Sequence, residues 1–260
     1  MKIDRVFLIG TIAISLALSK SLNVGIGGVS FDYREYSDGF ELDSESSSYS
    51  DIGLIKISYN SILKDKNQKK SSLSFIGSYA EGDSEYEGYL QNLKTGELTP
   101  YKSSSDNRVV NLQIRYILEY DENSYSAGVF ASGGYRDWVR DLKGIYGYKE
   151  RYYWPYFQVG IMGHWYEEGF FTGFDIAYQR AINPRMHAYL QNRFDFDLGT
   201  TYGLNLVVPI GYKYKNGLSI GVNYEYDAWN INHSSIVDGF IEPDSKTKNK
   251  SIYLNIGYEF

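Results

Sequence analysis

The sequence contains no cysteine, and beyond residue 18 it has no long apolar run. The first absence excludes disulfides, thiolate catalysis and a lipid anchor attached through cysteine. The second excludes a membrane-spanning helix after the N-terminus, since such a helix needs about 20 predominantly apolar residues. Histidine is scarce as well, with 3 widely separated residues, so neither a transition-metal site nor a cofactor is predicted. The formal net charge of −6 argues against nucleic acid as a partner.

The N-terminus has the pattern of an export signal. Lys2 and Arg5 precede an apolar run from Val6 to Leu18, and Ala17-Leu18-Ser19 offers small residues for cleavage. The run is short for a membrane-spanning helix, which makes an uncleaved anchor the weaker alternative. We therefore predict a signal peptide at 1–19 and a single exported domain at 20–260, with no second domain or linker.

Tyrosine and glycine are abundant, with 27 and 26 residues, and apolar and polar residues alternate over segments of about ten. Alternation with period two is the pattern of a β-strand that has one apolar and one polar face. The clearest set of apolar positions is Val110, Leu112, Ile114, Tyr116, Leu118 and Tyr120. Charged residues such as Arg115 and Glu225 lie on the polar faces, where a packed sandwich would have no use for them. The pattern thus predicts an all-β chain, a single antiparallel transmembrane β-barrel in a bacterial outer membrane.

Counting such segments predicts ten strands, with eight or twelve as alternatives. Their expected positions are 22–36, 51–61, 72–82, 108–120, 124–138, 152–165, 170–181, 199–214, 217–229 and 250–260. Pro155 and Pro209 fall inside strands and are the weakest points, because proline cannot donate to the ladder. Gly27-Gly28 interrupts the alternation and predicts a β-bulge.

The predicted connections alternate between short and long. Short turns belong on the periplasmic side of an outer-membrane barrel and long loops on the outside. The five long outer loops are expected at 37–50, 83–107, 139–151, 182–198 and 230–249.

The last strand ends in a regular alternation on one face: Ile252, Leu254, Ile256, Tyr258 and Phe260. This segment resembles the C-terminal assembly signal of bacterial outer-membrane β-barrel proteins. The resemblance implies that periplasmic chaperones and the barrel-assembly machinery are partners, and that outer-membrane lipid and lipopolysaccharide surround the chain. The stretch Glu242–Asn249 is also similar to the last outer loop of uncharacterised porin-family barrels, which implies no function.

Seven charged residues are predicted to point into the lumen: Lys56, Arg115, Glu119, Asp175, Glu225, Asp227 and Glu259. A barrel of about eight strands is filled by its side chains, whereas sixteen or more leave an aqueous channel. We expect these charges to pair across a mostly filled lumen, with a narrow ion or solute channel as the alternative. A second charged group, from Arg136 to Asp141, is interpreted as a self-paired outer rim.

Two hydrolase families offer weaker resemblances. Ten strands with Asp83 and Glu85 opening the second long loop resemble the omptins, whose proteolytic site pairs two acidic residues with an Asp–His pair. Here the fourth loop reads Asp195-Phe196-Asp197 without the expected histidine, and His187 lies eight residues earlier. A base that is missing or displaced argues against proteolysis.

The pair His233 and Ser235 resembles the His-x-Ser motif of outer-membrane lipid A deacylases, with serine as nucleophile and histidine as base. The asparagine that follows in that motif is replaced by Ile236. The expected function is therefore a non-enzymatic structural or surface-interaction role carried by the outer loops. The sequence does not name an extracellular ligand.

Overall fold

The computed structural model describes residues 20–91, 98–122, 124–190 and 192–260, and the predicted signal peptide at 1–19 lies outside that part. The described residues form antiparallel strands and contain no helix. The strands are β1 (Lys20–Ser37), β2 (Phe40–Ser46), β3 (Ile52–Lys66), β4 (Lys69–Gln91), β5 (Leu98–Glu122), β6 (Tyr125–Leu142), β7 (Lys149–Glu167), β8 (Phe170–Ala181), β9 (Arg185–Tyr189), β10 (Arg193–Asp197), β11 (Thr201–Lys213), β12 (Leu218–Ile231) and β13 (Asp244–Glu259).

Ten of these strands close a ring. The order around it is β1, β3, β4, β5, β6, β7, β8, β11, β12 and β13, and β13 pairs back onto β1 from Ser21–Glu259 to Tyr36–Asp244. A closed ring leaves no unpaired sheet edge within a membrane. The predicted all-β antiparallel barrel is confirmed, and each of the ten ring strands overlaps one predicted segment.

A belt of exposed apolar side chains surrounds the ring. On β5 it runs from Val110 to Tyr120, roughly 33 Å of strand, which at the usual barrel tilt spans about 25 Å. The belt includes the outward alternation of the last strand, where Ile252, Leu254, Ile256 and Tyr258 are each about half exposed. The belt is suited to contact with lipid, because in water every strand of the ring would expose an apolar face to the solvent.

Above the belt the sheet continues outward as a polar extension. The β4–β5 hairpin stays paired up to Gln91–Leu98, β2 pairs with β1 and β4, and the β9–β10 hairpin pairs with β7. The prediction that these five segments are loops was therefore wrong in part, because each of them contains residues that belong to strands. Both faces are polar here, with water outside and buried Ser105 and Asn107 inside, so the apolar alternation that marks a strand is absent.

At the opposite end of the ring, tight turns connect neighbouring strands. Asn67 and Gln68 both have positive φ, as do Glu168 and Gly169, which matches the twist of two-residue hairpins. Pro209 falls where the β8–β11 ladder skips from Val207–Asp175 to Ile210–Thr172, so its missing donor is tolerated. The predicted bulge at Gly27-Gly28 was wrong: that register is continuous, and the shift in β1 lies between Glu35 and Tyr36.

Candidate functional site

At the level of the belt, ion pairs cross the lumen. Lys56 Nζ lies 2.6 Å from Glu225 Oε2, and Arg115 Nη1 lies 2.6 Å from Asp175 Oδ2. His164 Nε2 contacts the second oxygen of Asp175 at 3.2 Å. The Lys56–Glu225 and Arg115–Asp175 pairs each join strands that are three places apart in the ring, so these pairs bridge the lumen. Paired and hydrogen-bonded charges of this kind are tolerated in a low-dielectric interior.

Asp227 joins this network one layer further out. Its carboxylate accepts hydrogen bonds from Arg136 Nη1 at 3.0 Å, Gln179 Nε2 at 2.6 Å and Trp229 Nε1 at 3.2 Å. Three donors from three different strands fix this carboxylate at the centre of the barrel.

The other two predicted lumen charges lie at the end that carries the tight turns, which is the end predicted to be periplasmic. Glu119 borders a cavity of about 170 Å³ together with Lys70 and Asp121, and Glu259 pairs with Lys213. The structure therefore places Lys56, Glu225, Arg115, Asp175 and Asp227 in interior ion pairs and leaves Glu119 and Glu259 near the end of the lumen.

In the outer extension, four buried glutamates surround one arginine. Arg140 donates to Glu45, to Glu150 at 2.7 Å and to Glu35 at 3.2 Å, while Glu242 accepts a 2.5 Å hydrogen bond from the Tyr152 hydroxyl. We call Arg140, Glu35, Glu45, Glu150 and Glu242 the outer carboxylate cluster. All five are nearly inaccessible to solvent. The cluster therefore has four buried carboxyl groups and one buried guanidinium, so acidic groups are in excess.

That surplus is reflected in the acidity of the cluster. Burial, followed by repulsion from Asp43, raises the pKa of Glu35 to about 8. Burial, followed by repulsion from Glu35 and Glu150, raises the pKa of Glu242 well above its usual range. Burial also raises the pKa of Glu150, although Arg140 opposes the shift. The cluster therefore holds protons at neutral pH.

Aromatic side chains fill the space beside and below the cluster. We call Phe31, Tyr33, Trp138, Tyr152, Trp154, Tyr156 and Trp229 the aromatic plug. Trp138 stacks on Tyr152 with ring centroids 4.6 Å apart, and Trp154 meets Trp229 edge-on at 5.3 Å. Below the plug a cavity of about 90 Å³ remains, and a larger one of about 420 Å³ lies towards the periplasmic end. The plug therefore lies on the outer side of both cavities, and all seven of its side chains are buried.

The plug and the cluster include residues that the sequence analysis did not place. The rim interpretation of Arg136 to Asp141 was wrong, because Arg136, Trp138 and Arg140 point inward and are buried. The outward Asp137 pairs with Arg151, and the outward Asp141 lies 3.5 Å from Lys143. The alternation of the sequence indicated these inward positions, since Arg136, Trp138 and Arg140 lie on the same face of β6 as the inward Ser132. Glu150 lies opposite Arg140 on the neighbouring β7, but Glu35, Glu45 and Asp227 are about 90 to 105 positions away in the sequence, so no local pattern indicates them.

The protease-like residues are only partly brought together. His187 Nδ1 lies 2.7 Å from Asp195 Oδ1 across the β9–β10 hairpin, and Asp197 pairs with Arg185. Burial, followed by repulsion from Arg193, lowers the pKa of His187.

The acidic half of that constellation lies elsewhere. Asp83 and Glu85 point outward on β4, where Asp83 is beside Asp106, while the inward neighbours Ser84 and Tyr86 are buried. A site that uses opposing carboxylates to position water is therefore not assembled from these residues.

The deacylase-like pair is not in contact either. His233 Nδ1 lies 3.0 Å from Asp244 Oδ1, and the exposed Ser235 accepts a bond from Ser234 through its backbone oxygen only. Glu242 contacts Tyr152 rather than His233. Both residues lie in the outer connection between β12 and β13, well above the belt.

Within the described ranges of the chain, no group of three or more histidines, cysteines or carboxylates is suited to a metal ion. The same part of the chain contains no helix that is long and apolar enough to cross a membrane.

Comparison by sequence finds no matching family model and no matching curated protein. Solved structures do match. The outer membrane protease OmpT from Escherichia coli is 14% identical, with 94% of this chain and 97% of that chain covered and a TM-score of 0.64. The transport unit of the autotransporter AIDA-I from Escherichia coli (9% identical, 100% and 93% covered) gives 0.47. Ail, the attachment invasion locus protein of Yersinia pestis (14% identical, 93% and 99% covered), gives 0.36.

At such low identity the likeness to OmpT concerns the fold alone. The shared fold agrees with the closed ring and the apolar belt, which were established from this chain itself. Together they identify the fold as that of a bacterial outer-membrane β-barrel protein.

Proposed function

We propose that this protein is a closed, non-enzymatic barrel of the bacterial outer membrane, with its polar outer extension as the surface for interactions. The observation that carries the proposal is the aromatic plug, held between two layers of cross-lumen ion pairs. A diffusion pathway needs continuous water, and the plug interrupts it. The incomplete protease-like and deacylase-like sets support a role without catalysis.

Conductance across a planar lipid bilayer tests the closed lumen. We expect the inserted protein to give no discrete current steps, because Trp154 and Trp229 block the lumen. Replacing both with alanine removes the middle of the plug and is expected to produce measurable steps. Trp165→Ala is the matched control, since that ring is 51% exposed on the lipid-facing side. Ion-selective steps in the unmodified protein that change in Glu225→Gln would instead favour a narrow channel.

The extension carries a row of cations just above the belt. Lys246, Lys248 and Lys250 alternate outward on β13 directly before Ile252, and all three are exposed. The neighbouring Asp32 is engaged by Arg34, and no salt bridge to these lysines is found in the described part of the chain. We propose that this row of lysines contacts the phosphate groups of lipopolysaccharide.

Neutralising the row is expected to weaken lipopolysaccharide binding at low salt. At roughly 1 kcal/mol per lysine near an anionic surface, the triple change to glutamine corresponds to about a hundredfold loss. Titration of the protein in a neutral detergent with labelled lipopolysaccharide measures it. The matched control is the triple change to glutamine at Lys64, Lys66 and Lys69, beside the periplasmic turn. Equal losses in both variants would show a nonspecific charge effect and contradict a phosphate site at the row.

A further inference from the structure

The periplasmic end of the lumen is an open vestibule. Its volume is about 420 Å³, within the range of small-molecule sites in proteins. Its inner limit is formed by Tyr253, Lys56 and Asp175 at the ion-pair layer, and its lining continues to Lys213 and Glu259 at the periplasmic end. This space is separate from the outer surface discussed above.

Glycine keeps the vestibule open. Several lumen-facing positions at this level lack a side chain, which lets neighbouring side chains lie against the barrel wall. A Cβ on Gly257 would collide with the side chains of Asn23 and Ser219, and one on Gly211 would collide with the ring of Phe171. Glycine at these two positions therefore leaves the space that Asn23, Ser219 and Phe171 occupy.

The charges that border the vestibule are already neutralised. Lys56 pairs with Glu225, Asp175 with Arg115 and His164, and Lys213 with Glu259. A charged ligand would have to displace one of these pairs without gaining a free counter-charge. The vestibule is therefore suited to a neutral guest.

Uncharged hydrogen-bonding groups remain free on the wall. The amides of Asn23, Asn223 and Asn255 and the hydroxyl of Ser58 line the cavity, and each is half-buried. Within the described ranges they form no hydrogen bond with another side chain. Amides supply both donors and acceptors, which is what vicinal hydroxyl groups require.

Aromatic faces complete the lining. Tyr166, Phe171 and Tyr253 border the same space. An aromatic ring contacts the apolar C–H face of a ring-shaped guest, while the amides bond its polar edge. We infer that this vestibule is a binding site for a small neutral carbohydrate of one or two rings, entering from the periplasm.

Saturation-transfer NMR on the purified protein in detergent micelles tests the inference, with N-acetylglucosamine and maltose as neutral probes. At least one neutral sugar is expected to give a signal that saturates in the millimolar range. N-acetylglucosamine 6-phosphate is the charged counterpart and is expected to bind at least about tenfold more weakly. Absence of a signal for both neutral sugars up to about 10 mM would overturn the inference. Equal binding of the phosphorylated sugar would overturn it as well.

Variants localise the site. Asn223→Leu removes an amide and fills its space, and the loss of its hydrogen bonds is expected to weaken binding about tenfold or more. Ser58→Leu, on a strand across the vestibule, gives a second reading if the first variant does not fold. Asn232→Leu, exposed in the outer connection, is the matched control and should bind as the unmodified protein does. Unchanged binding in both vestibule variants would place the sugar elsewhere. Current steps in the bilayer measurement would overturn the closed-barrel proposal, but they would not change the outcome of the sugar-binding measurements.

Discussion

Replacing Arg140 with methionine is expected to destabilise the barrel by about 3–5 kcal/mol near neutral pH. The guanidinium donates to Glu35, Glu45 and Glu150, and all of these groups are buried. Without Arg140, these three carboxyl groups and that of Glu242 lie together in the cluster with no cation beside them. Burial prevents water from screening that repulsion. Equilibrium unfolding in denaturant, followed by tryptophan fluorescence, measures the change, since Trp138 stacks beside the cluster on Tyr152.

The matched control is Arg34→Met. Arg34 also contacts two carboxylates, Asp32 and Glu41, but its side chain is 44% exposed on the outward face. An exposed ion pair contributes about 0–1 kcal/mol, so the control should remain close to the unmodified protein. Adding Glu45→Gln to Arg140→Met should restore part of the loss. Similar stability of the two arginine variants would show that Arg140 does not balance the cluster.

Stability is also expected to fall as the pH rises from about 5 to 8. The pKa of Glu35 is raised to about 8 in the folded protein, compared with 4.5 ordinarily. Over this interval the folded protein holds a proton that the unfolded chain has released, so rising pH favours unfolding. Each unit of pKa difference corresponds to roughly 1.4 kcal/mol, giving a total of a few kcal/mol. The raised pKa of Glu242 should extend the slope above pH 8.

Unfolding free energies measured across this range test the sign. Glu35→Gln keeps a hydrogen-bonding side chain that cannot ionise, and it should flatten the profile between pH 5 and 8. The other groups that interact with Glu35 remain in that variant: Arg140, Asp43, Glu150, Glu242, Tyr33, Tyr86, Tyr148 and Tyr152. Glu85→Gln, on the outward face of β4, is the control and should keep the slope. A stability that rises with pH would contradict the protonated state of the cluster.

The barrel was predictable because lipid and lumen impose opposite demands on alternate residues. On β5 the outward Leu112, Ile114 and Tyr116 alternate with inward Gln113 and Arg115, and that contrast is visible in one sequence. The same rule fails above the membrane. There Ser104 and Ser105 lie on opposite faces of β5, yet both are polar, so the strand resembles a loop in the sequence.

Cross-lumen partners could not be derived from the sequence for a different reason. Arg136 and Asp227 are 91 positions apart, and Arg140 and Glu35 are 105 apart. Local spacing says which residues point inward but not which of them meet, because that depends on strand order and stagger. Pairing along the chain was therefore assumed for Arg136 to Asp141, whereas Arg136 and Arg140 also have partners on strands that are not their neighbours, Asp227 and Glu35.

The seam between β1 and β13 has a consequence for how the chain reaches this form. It joins Ser21 to Glu259, nearly the whole described length apart, and runs through to Tyr36 and Asp244. Contacts between such distant residues require closure of a very long loop, which makes them slow to form. Until they form, both terminal strands keep an unpaired edge capable of joining another chain. Closure of this seam is thus the step at which a growing sheet becomes a finished barrel, and aggregation competes with it until then.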